Sequence, residues 1–184
     1  MGANKALLLF HGRPLIERVI DRLNPIADEV LVTCNSQEPL SSLRWPVFMD
    51  RKEGRGALEG LFTALSVSRG QYVAVAACDL PFASRKLMAH QYAVIQSGGM
   101  DVVVPGTPKG LEPLHAVYRR QTCLPIVEQM LDEGHFRIST LFGQVRTCIL
   151  NQDQINAVDP DPRIFFNVNT PDDFQRAVEL AESD

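Results

Sequence analysis

Residues 72–82 read Y-V-A-V-A-A-C-D-L-P-F, and this stretch decides the fold class. The apolar run reaches Cys78, ends on Asp79 and is followed two residues later by Pro81. A continuous apolar strand is typical of a parallel sheet covered by helices on both faces, and such sheets bind ligands beyond the carboxyl ends of their strands. Position alone leaves two interpretations of Asp79 equal: it ligates a hard cation such as Mg²⁺, or it caps the turn that the proline fixes.

Helical and strand patterns alternate on both sides of this stretch. Apolar residues at helical spacing, together with the capping residues Ser84 and Thr170, predict helices separated by short apolar strands. The alternation predicts an α/β fold with a mainly parallel open sheet and helices on both faces. Residues 106–161 are less regular, and we expect an antiparallel or inserted element there. The predicted helices span residues 14–26, 56–68, 85–96, 122–132 and 171–182, and the predicted strands span 29–34, 45–49, 71–78, 100–105, 114–118, 145–150 and 164–168.

Length and composition narrow the classes of function. The 184 residues suit one compact domain, residues 1–184, and the net charge of −4 argues against general binding to nucleic acid or acidic membranes. No apolar run approaches the ~20 residues of a membrane span, and we expect no secretory leader. The four cysteines form no C-x-x-C pair, so we expect buried free thiols and a cytoplasmic location.

Polar side chains also stand at the ends of other predicted strands. Asn35 follows E-V-L-V-T-C, Asp50 follows W-P-V-F-M, and Asn167 and Asn169 lie in I-F-F-N-V-N. Each residue alone is a common turn former. Their recurrence at strand ends favours a ligand site at one edge of the sheet.

A lysine and two glycines add to this chemistry. Lys5 precedes the apolar run A-L-L-L-F and could approach phosphates as a point charge, although a lone lysine is more often a solvated surface residue. Gly54 and Gly56 precede a predicted helix. They either let a ligand approach the backbone and its free N–H groups, or simply punctuate the loop.

Four segments together resemble the molybdenum cofactor guanylyltransferase family. They are M-G-A-N-K-A-L-L-L-F-H-G-R-P-L-I at residues 1–16, C-D-L-P at 78–81, G-L-E-P-L-H-A-V-Y at 110–118 and F-F-N-V-N-T-P-D-D-F at 165–174. The set follows the family's order across essentially the whole chain. The resemblance implies a Rossmann-like nucleotidyltransferase domain, similar to the nucleotide-diphospho-sugar transferases. It also implies Mg²⁺-dependent transfer of GMP from GTP to the terminal phosphate of molybdopterin-bound molybdenum, with release of pyrophosphate.

The resemblance assigns roles to individual residues. Lys5 would contact the GTP phosphates and take part in catalysis, and Asn35 would help to hold the nucleotide. Asp50 would bind the guanine nucleotide. Asp79 would contact the nucleotide, ligate Mg²⁺ and serve as a catalytic residue.

The second substrate and the partners are implied in the same way. Asn167 and Asn169 would lie on the pterin side of the crevice. The implied partners are GTP and molybdenum-molybdopterin, with molybdoenzymes or other cofactor-assembly proteins as recipients of the product.

The chain departs from the family pattern at its N-terminus. Members begin with a strand and a glycine-rich loop of the form L-A-G-G-x-S-x-R, directly before the M-G with which this sequence opens. Either the sequence lacks its true N-terminus, or the protein starts here as a weakened or non-catalytic relative. We favour the first, because loss of a central strand exposes the backbone groups and apolar faces of its neighbours. A smaller departure is Ala57, where the family usually has proline.

The implied reaction requires no protein nucleophile, and the sequence shows no Ser or Cys in a recognisable nucleophile motif. His115, inside the third segment, either lines the second substrate's pocket or has a structural role. Two alternatives to guanylyl transfer stay open. One is a related cytidylyl- or sugar-phosphate nucleotidyltransferase, and the other is a non-catalytic nucleotide- or cofactor-binding module.

Overall fold

The computed structural model describes residues 5–35, 40, 43–52 and 54–182. The letters M-G-A-N, which open the first family segment, lie outside the described residues. None of the helices in the described ranges is both long enough and apolar enough to span a membrane. These helices are α1 (Leu15–Leu23), α2 (Gly56–Val67), α3 (Arg85–Ser97), α4 (Arg120–Asp132), α5 (Gln152–Val158) and α6 (Pro171–Ala181), with short 3₁₀ turns at Lys5–Leu7, Asn24–Ile26 and Ile138–Gly143.

The strands are short, and two of them form a hairpin close to the N-terminus. The hairpin strands are β1 (Leu9–Phe10) and β2 (Arg13–Pro14). The others are β3 (Val32–Cys34), β4 (Val47–Met49), β5 (Tyr72–Ala76), β6 (Val102–Thr107), β7 (Gly110–Leu111), β8 (His115–Arg119) and β9 (Thr147–Leu150).

The larger sheet has the order β5–β8–β6, and β6 also pairs with β7 and β9. β8 runs antiparallel to both β5 and β6, whereas β6 and β9 are parallel. The strands β5, β6 and β9 therefore share one direction, and β8 is inserted between β5 and β6 in the opposite direction. This insertion is the antiparallel element expected within residues 106–161.

A second, two-stranded sheet is formed by β3 and β4, which are parallel. Helix α2 packs against both of these strands and against β5. Within the described residues, β5 pairs with β8 alone and β3 pairs with β4 alone, so each has one edge without a strand neighbour. Ala74, in the middle of β5, is exposed.

Period-two alternation in the central strands builds a core on each face of the larger sheet. Val102 and Tyr118 pack in one apolar cluster with residues of α2 and α4. Val103 and Val117, their chain neighbours, pack in the other cluster with residues of α3 and α5. Burying a side chain of this size stabilises the fold by roughly 1.5–3 kcal/mol. The α/β architecture with helices on both faces is therefore confirmed.

One predicted strand is wrong. The apolar run at residues 164–168 starts in a turn and continues without regular secondary structure, and Phe166 N–H donates to the carbonyl of Arg163 at 2.8 Å. Val168 N–H donates at 2.9 Å to the carbonyl of Asp79 and joins no strand ladder. These local and long-range bonds override the strand propensity of I-F-F-N-V and lay the segment against the loop that follows β5.

Local signals predicted the helices more accurately. Ser84 caps α3, because its hydroxyl accepts from the N–H of Leu87, and Thr170 caps α6 in a reciprocal capping box with Asp173. Helix α5 was not predicted, although Asn151 and Gln154 form a capping box at its start.

Candidate functional site

The loop after β5 carries Asp79 and is fixed by three hydrogen bonds to two other parts of the chain, residues 114–115 and residue 168. Ala77 N–H donates to the carbonyl of Leu114 at 2.9 Å, and the carbonyl of Asp79 accepts from Val168 at 2.9 Å. At the end of the loop, Ser84 N–H donates to Nε2 of His115 at 3.0 Å. These three bonds hold the loop in place without the Asp79 carboxylate.

The Asp79 carboxylate is partly buried and lacks a full set of hydrogen-bond partners. Its Oδ1 is buried with no partner among the described residues. Burial raises the pKa of Asp79, and the positive charge of Lys5 opposes this shift. A buried carboxylate oxygen without a donor costs free energy unless a ligand or ion completes it.

Lys5 and Asn169 lie beside this carboxylate, although 164 positions of sequence separate them. Lys5 Nζ donates to Asn169 Oδ1 at 2.9 Å. The structure therefore brings Lys5, Asp79 and Asn169 together, and we call these three residues the Asp79 cluster. Asn167 instead turns back on its own segment, where its amide donates to the carbonyl of Phe165 at 3.2 Å.

Asn35 and Asp50 meet at the ends of β3 and β4. Asp50 N–H donates to the carbonyl of Cys34 at 2.8 Å, and the exposed Asn35 follows that cysteine directly. Asp50 Oδ1 accepts from the hydroxyl of Thr63 on α2 at 2.8 Å. Burial raises the pKa of Asp50, and the hydrogen bond from Thr63 opposes this shift. The negative charge of Glu59 raises the pKa further.

A cavity of about 300 Å³ opens between these strand ends and the start of α2. Gly56 has φ +66°, a left-handed conformation that favours glycine. A Cβ at this position would meet nothing within 4 Å, so the first turn of α2 is open toward an incoming group. We call this cavity the α2 pocket. It is lined by Asn35, Asp50, Lys52, Gly54, Arg55, Gly56 and Glu59.

The α2 pocket and the Asp79 cluster lie on the same side of the fold. Cys34 immediately precedes Asn35, and Cys78 immediately precedes Asp79. Both cysteines pack against one apolar cluster, which also contains Val32. The carboxyl ends of β3 and β5 therefore converge, as the recurrence of polar residues at strand ends predicted.

Sequence reasoning missed several residues of this region. Glu59 is 1% exposed, although it is a charged residue on α2, and Thr63 lies one helical turn further on. The spacing of these two residues beside the apolar stripe of α2 could have indicated that they face Asp50. Arg55 was also missed, because arginine before a helix is an ordinary surface residue.

His115 lies in the interior, does not line the α2 pocket and is not exposed to solvent. It is 0% exposed, and its Nε2 accepts the N–H of Ser84, so the proton of the neutral ring resides on Nδ1. Burial lowers the pKa of His115 to about 4. Of the two interpretations offered for this residue, the geometry favours the structural one.

The Asp79 cluster fits a magnesium ion only as a minimal protein ligand set. No group of three or more His, Cys, Asp or Glu side chains arranged to hold a metal occurs among the described residues. Mg²⁺ is commonly held by one or two carboxylates together with substrate phosphates and water, so one carboxylate with an unpartnered oxygen fits that mode.

Comparisons with known proteins concern the family and the fold. The family model described as "MobA-like NTP transferase domain" matches residues 1–147. The molybdenum cofactor guanylyltransferase of Desulfosudis oleivorans is 33% identical over 178 residues, which cover 96% of this chain and 86% of that protein.

Solved structures show the same fold. Molybdopterin-guanine dinucleotide biosynthesis protein A from Archaeoglobus fulgidus superposes with a TM-score of 0.85 and 27% identity, covering 100% of this chain and 93% of that one. The 2-C-methyl-D-erythritol 4-phosphate cytidylyltransferase of Thermus thermophilus superposes with a TM-score of 0.72 and 20% identity, covering 97% and 94% of the two chains. At that identity the second likeness concerns the fold alone.

Proposed function

Because the chain belongs to the family of MobA-like NTP transferase domains, we propose that it transfers GMP from GTP to the terminal phosphate of molybdopterin-bound molybdenum. The relative from Desulfosudis oleivorans, which is named as a molybdenum cofactor guanylyltransferase, supports this assignment. The observation that carries the proposal is the convergence of the α2 pocket and the Asp79 cluster on one side of the fold. The two sites give a nucleotide a place for each of its ends.

The charges of the two sites favour one orientation of GTP. Lys5 supplies a cation for the phosphates beside Asp79. The α2 pocket carries two cations, Lys52 and Arg55, and two carboxylates, Asp50 and Glu59, so its formal charges cancel. A nearly neutral pocket suits the uncharged base, and the triphosphate belongs at the lysine.

The reaction is an in-line displacement at the α-phosphorus of GTP. A phosphate oxygen of the pterin substrate forms the new P–O bond, and the bond from the α-phosphorus to the bridging oxygen breaks. Pyrophosphate leaves with the electron pair. The attacking oxygen is already ionised near neutral pH, so no protein base or nucleophile is required, and catalysis comes from positioning and charge neutralisation.

Asp79 is the residue that would hold Mg²⁺, which neutralises charge on phosphate oxygens when it is bound. Lys5 holds the triphosphate against this carboxylate, and its bond to Asn169 fixes the ammonium group. Asn35 and Asp50 hold the nucleoside end. Asn169 and Asn167 would lie toward the pterin substrate, with Asn169 beside Lys5 and the amide of Asn167 bonded to the carbonyl of Phe165.

We further propose that an additional strand pairs between β3 and β5. Among the described residues each of these strands has one edge without a strand neighbour, Ala74 is exposed, and the family pattern includes a strand with a glycine-rich loop. Backbone hydrogen exchange tests this proposal. Protection of every β5 amide is expected, whereas rapid exchange of alternate β5 amides would contradict the added strand.

A reducing location suits the chain, because its four cysteines form no disulfide among the described residues. We therefore propose a cytoplasmic enzyme that passes its product to molybdoenzymes or to other cofactor-assembly proteins.

Thermal shift with nucleotides tests the proposed activity. With Mg²⁺ and GTP at about 100 times the Kd, linkage adds about 2.7 kcal/mol to the free energy of unfolding. For a chain of this size that gain raises the Tm by roughly 5–10 °C. CTP and UTP should give smaller shifts at equal concentration, and stabilisation by CTP alone would overturn the guanylyl assignment. Transfer of radiolabelled GMP to molybdenum-molybdopterin then separates an enzyme from a binding module.

A further inference from the structure

Arg55 lines the α2 pocket, and its guanidinium is fixed from three sides. Its Nη1 donates to the carbonyl of Leu131, at the end of α4, at 3.4 Å. The same nitrogen lies 3.8 Å from Oε2 of Glu59, and the guanidinium carbon lies 5.2 Å from the centre of the Phe136 ring. A guanidinium held in this way loses little further freedom when it binds a ligand.

Glu59 is the anchor for this arrangement. Its side chain is 1% exposed, and its Oε1 accepts from Nε of Arg51 at 3.3 Å. Its Oε2 accepts no hydrogen bond from any described residue, so it attracts Arg55 without engaging the N–H groups of that side chain. An arginine carries five N–H donors, and Leu131 O is the one acceptor that bonds Arg55 among the described residues.

These donors complement one base in particular. Guanine presents two acceptors, O6 and N7, on one edge, and arginine binds this pair with two parallel hydrogen bonds. Cytosine has no such acceptor pair and presents an amino group at the corresponding edge. The carboxylate of Asp50, in the same pocket, is an acceptor for the N–H groups on guanine's other edge.

We propose that Arg55 is a specificity-determining residue, which donates to the O6 and N7 edge of guanine, and that Glu59 is the residue that positions it. This inference rests on the proposed function, because it requires the base to occupy the α2 pocket. A phosphate is a poorer occupant, because the carboxylates of Asp50 and Glu59 offset the attraction that Lys52 and Arg55 would exert on it. If Arg55 served only to join α2 to α4 through its bond to Leu131, the pocket would show no preference among bases.

Nucleotide analogues that differ from GTP by one group test the proposal. 7-Deaza-GTP lacks only the N7 acceptor, and ITP lacks only the 2-amino group. By titration calorimetry, the unaltered chain should bind 7-deaza-GTP roughly 3- to 10-fold more weakly than GTP, because one hydrogen bond is lost. In Arg55→Ala the difference in affinity between GTP and 7-deaza-GTP should disappear. The ratio of the affinities for ITP and GTP should stay unchanged.

Further variants keep the test informative if Arg55→Ala folds poorly. Arg55→Lys keeps the positive charge but loses the paired N–H donors of the guanidinium. It should therefore also remove the difference in affinity between GTP and 7-deaza-GTP. Glu59→Gln should narrow this difference, because the guanidinium is no longer held by a charge. Lys52→Ala is the matched control, a second cation of the pocket, and it should weaken GTP and 7-deaza-GTP by the same factor.

The outcomes separate this inference from the proposed function. If Arg55→Lys and Arg55→Ala weaken GTP and 7-deaza-GTP equally, Arg55 does not contact the N7 edge, and the inference fails while guanylyl transfer stands. If the unaltered chain binds no GTP, the proposed function fails and takes the inference with it. If Glu59→Gln binds 7-deaza-GTP more weakly than GTP by the same factor as the unaltered chain, Glu59 does not position Arg55.

Discussion

Replacing Asp79 with asparagine should stabilise the protein and abolish its activity. The carboxylate has a buried oxygen without a partner, and burial raises its pKa against the attraction of Lys5. Both observations mean that the fold is less stable because this group is charged. Asparagine keeps the shape and removes the charge, and the loop is unaffected because its bonds run through the main chain.

The magnitude follows from removal of the charge, because asparagine still leaves a polar atom without a partner at this position. An unsatisfied buried group costs about 1–3 kcal/mol and more when it is charged, and the gain is at the low end because Lys5 compensates part of the charge. We therefore expect a gain of about 1 kcal/mol, which raises the Tm of a chain of this size by roughly 2–4 °C. Turnover should fall by about 100-fold or more, as when an electrostatic stabiliser of a transition state is removed.

Asp101→Asn is the matched control, because Asp101 is a buried carboxylate with the opposite surroundings. Arg146 Nε donates to its Oδ2 at 2.9 Å, and the bonds from Arg146 lower its pKa. This variant should lose about 1.5–3 kcal/mol of stability, the usual contribution of hydrogen bonds to a charged group. Its turnover per folded molecule should stay unchanged, because Asp101 lies outside both sites.

Scanning fluorimetry measures the Tm of each variant, and a pyrophosphate-release assay on the same preparations measures its turnover. If Asp79→Asn melts at a lower temperature and keeps its turnover per folded molecule, Asp79 is a turn cap. The assignment of Asp79 to the phosphates and to Mg²⁺ would then be wrong.

Three further predictions concern other parts of the molecule. Lys5→Ala should weaken GTP binding about tenfold or more and flatten its dependence on salt, and unchanged affinity in calorimetry would remove the lysine from the phosphate site. His115→Leu leaves the buried N–H of Ser84 unpaired and should cost about 1–3 kcal/mol in urea denaturation, whereas His115→Gln, which can still accept, should cost less. Burial raises the pKa of Glu112 above its usual 4.5, so the native state keeps a proton that the unfolded state has lost, and the stability of the unaltered chain falls as the pH rises through that window. Glu112→Gln should therefore stabilise the fold at pH 7 and have little effect below pH 4 in the same denaturation assay, and an equal effect at both would contradict this.

The accuracy of the sequence predictions follows from how far apart the deciding contacts lie. Helix α3 was predicted almost to its ends, because Ser84 and the glycines after it act within one turn. The run at residues 164–168 was predicted as a strand from its local apolar pattern. Its conformation depends instead on the bond from Val168 N–H to the carbonyl of Asp79, which is distant in sequence. Sequence pattern reports propensity, and such a bond overrides it.

The candidate site shows the same division. The residue types at strand ends indicated a ligand edge, because parallel strands bring their carboxyl ends together. The contact between Lys5 and Asn169 spans 164 positions, and no periodicity encodes it. The burial of Glu59 was also hidden, since a glutamate on a helix is ordinarily solvated.

The acidic residues of this chain divide into two groups, and the division itself supports a ligand site. Asp101 and Asp161 accept hydrogen bonds from arginines, and these bonds lower the pKa of both carboxyl groups. Among the described residues, the buried carboxylate oxygens that accept no hydrogen bond belong to Glu59 and Asp79, one in each half of the proposed crevice. A fold selected for stability alone would supply donors to such oxygens or replace them, because a buried carboxylate oxygen without a donor is costly even where a cation lies nearby. Their retention at these two places is what we expect if a nucleotide and its counter-ion complete them, and binding should then stabilise the protein more than its contact area alone predicts.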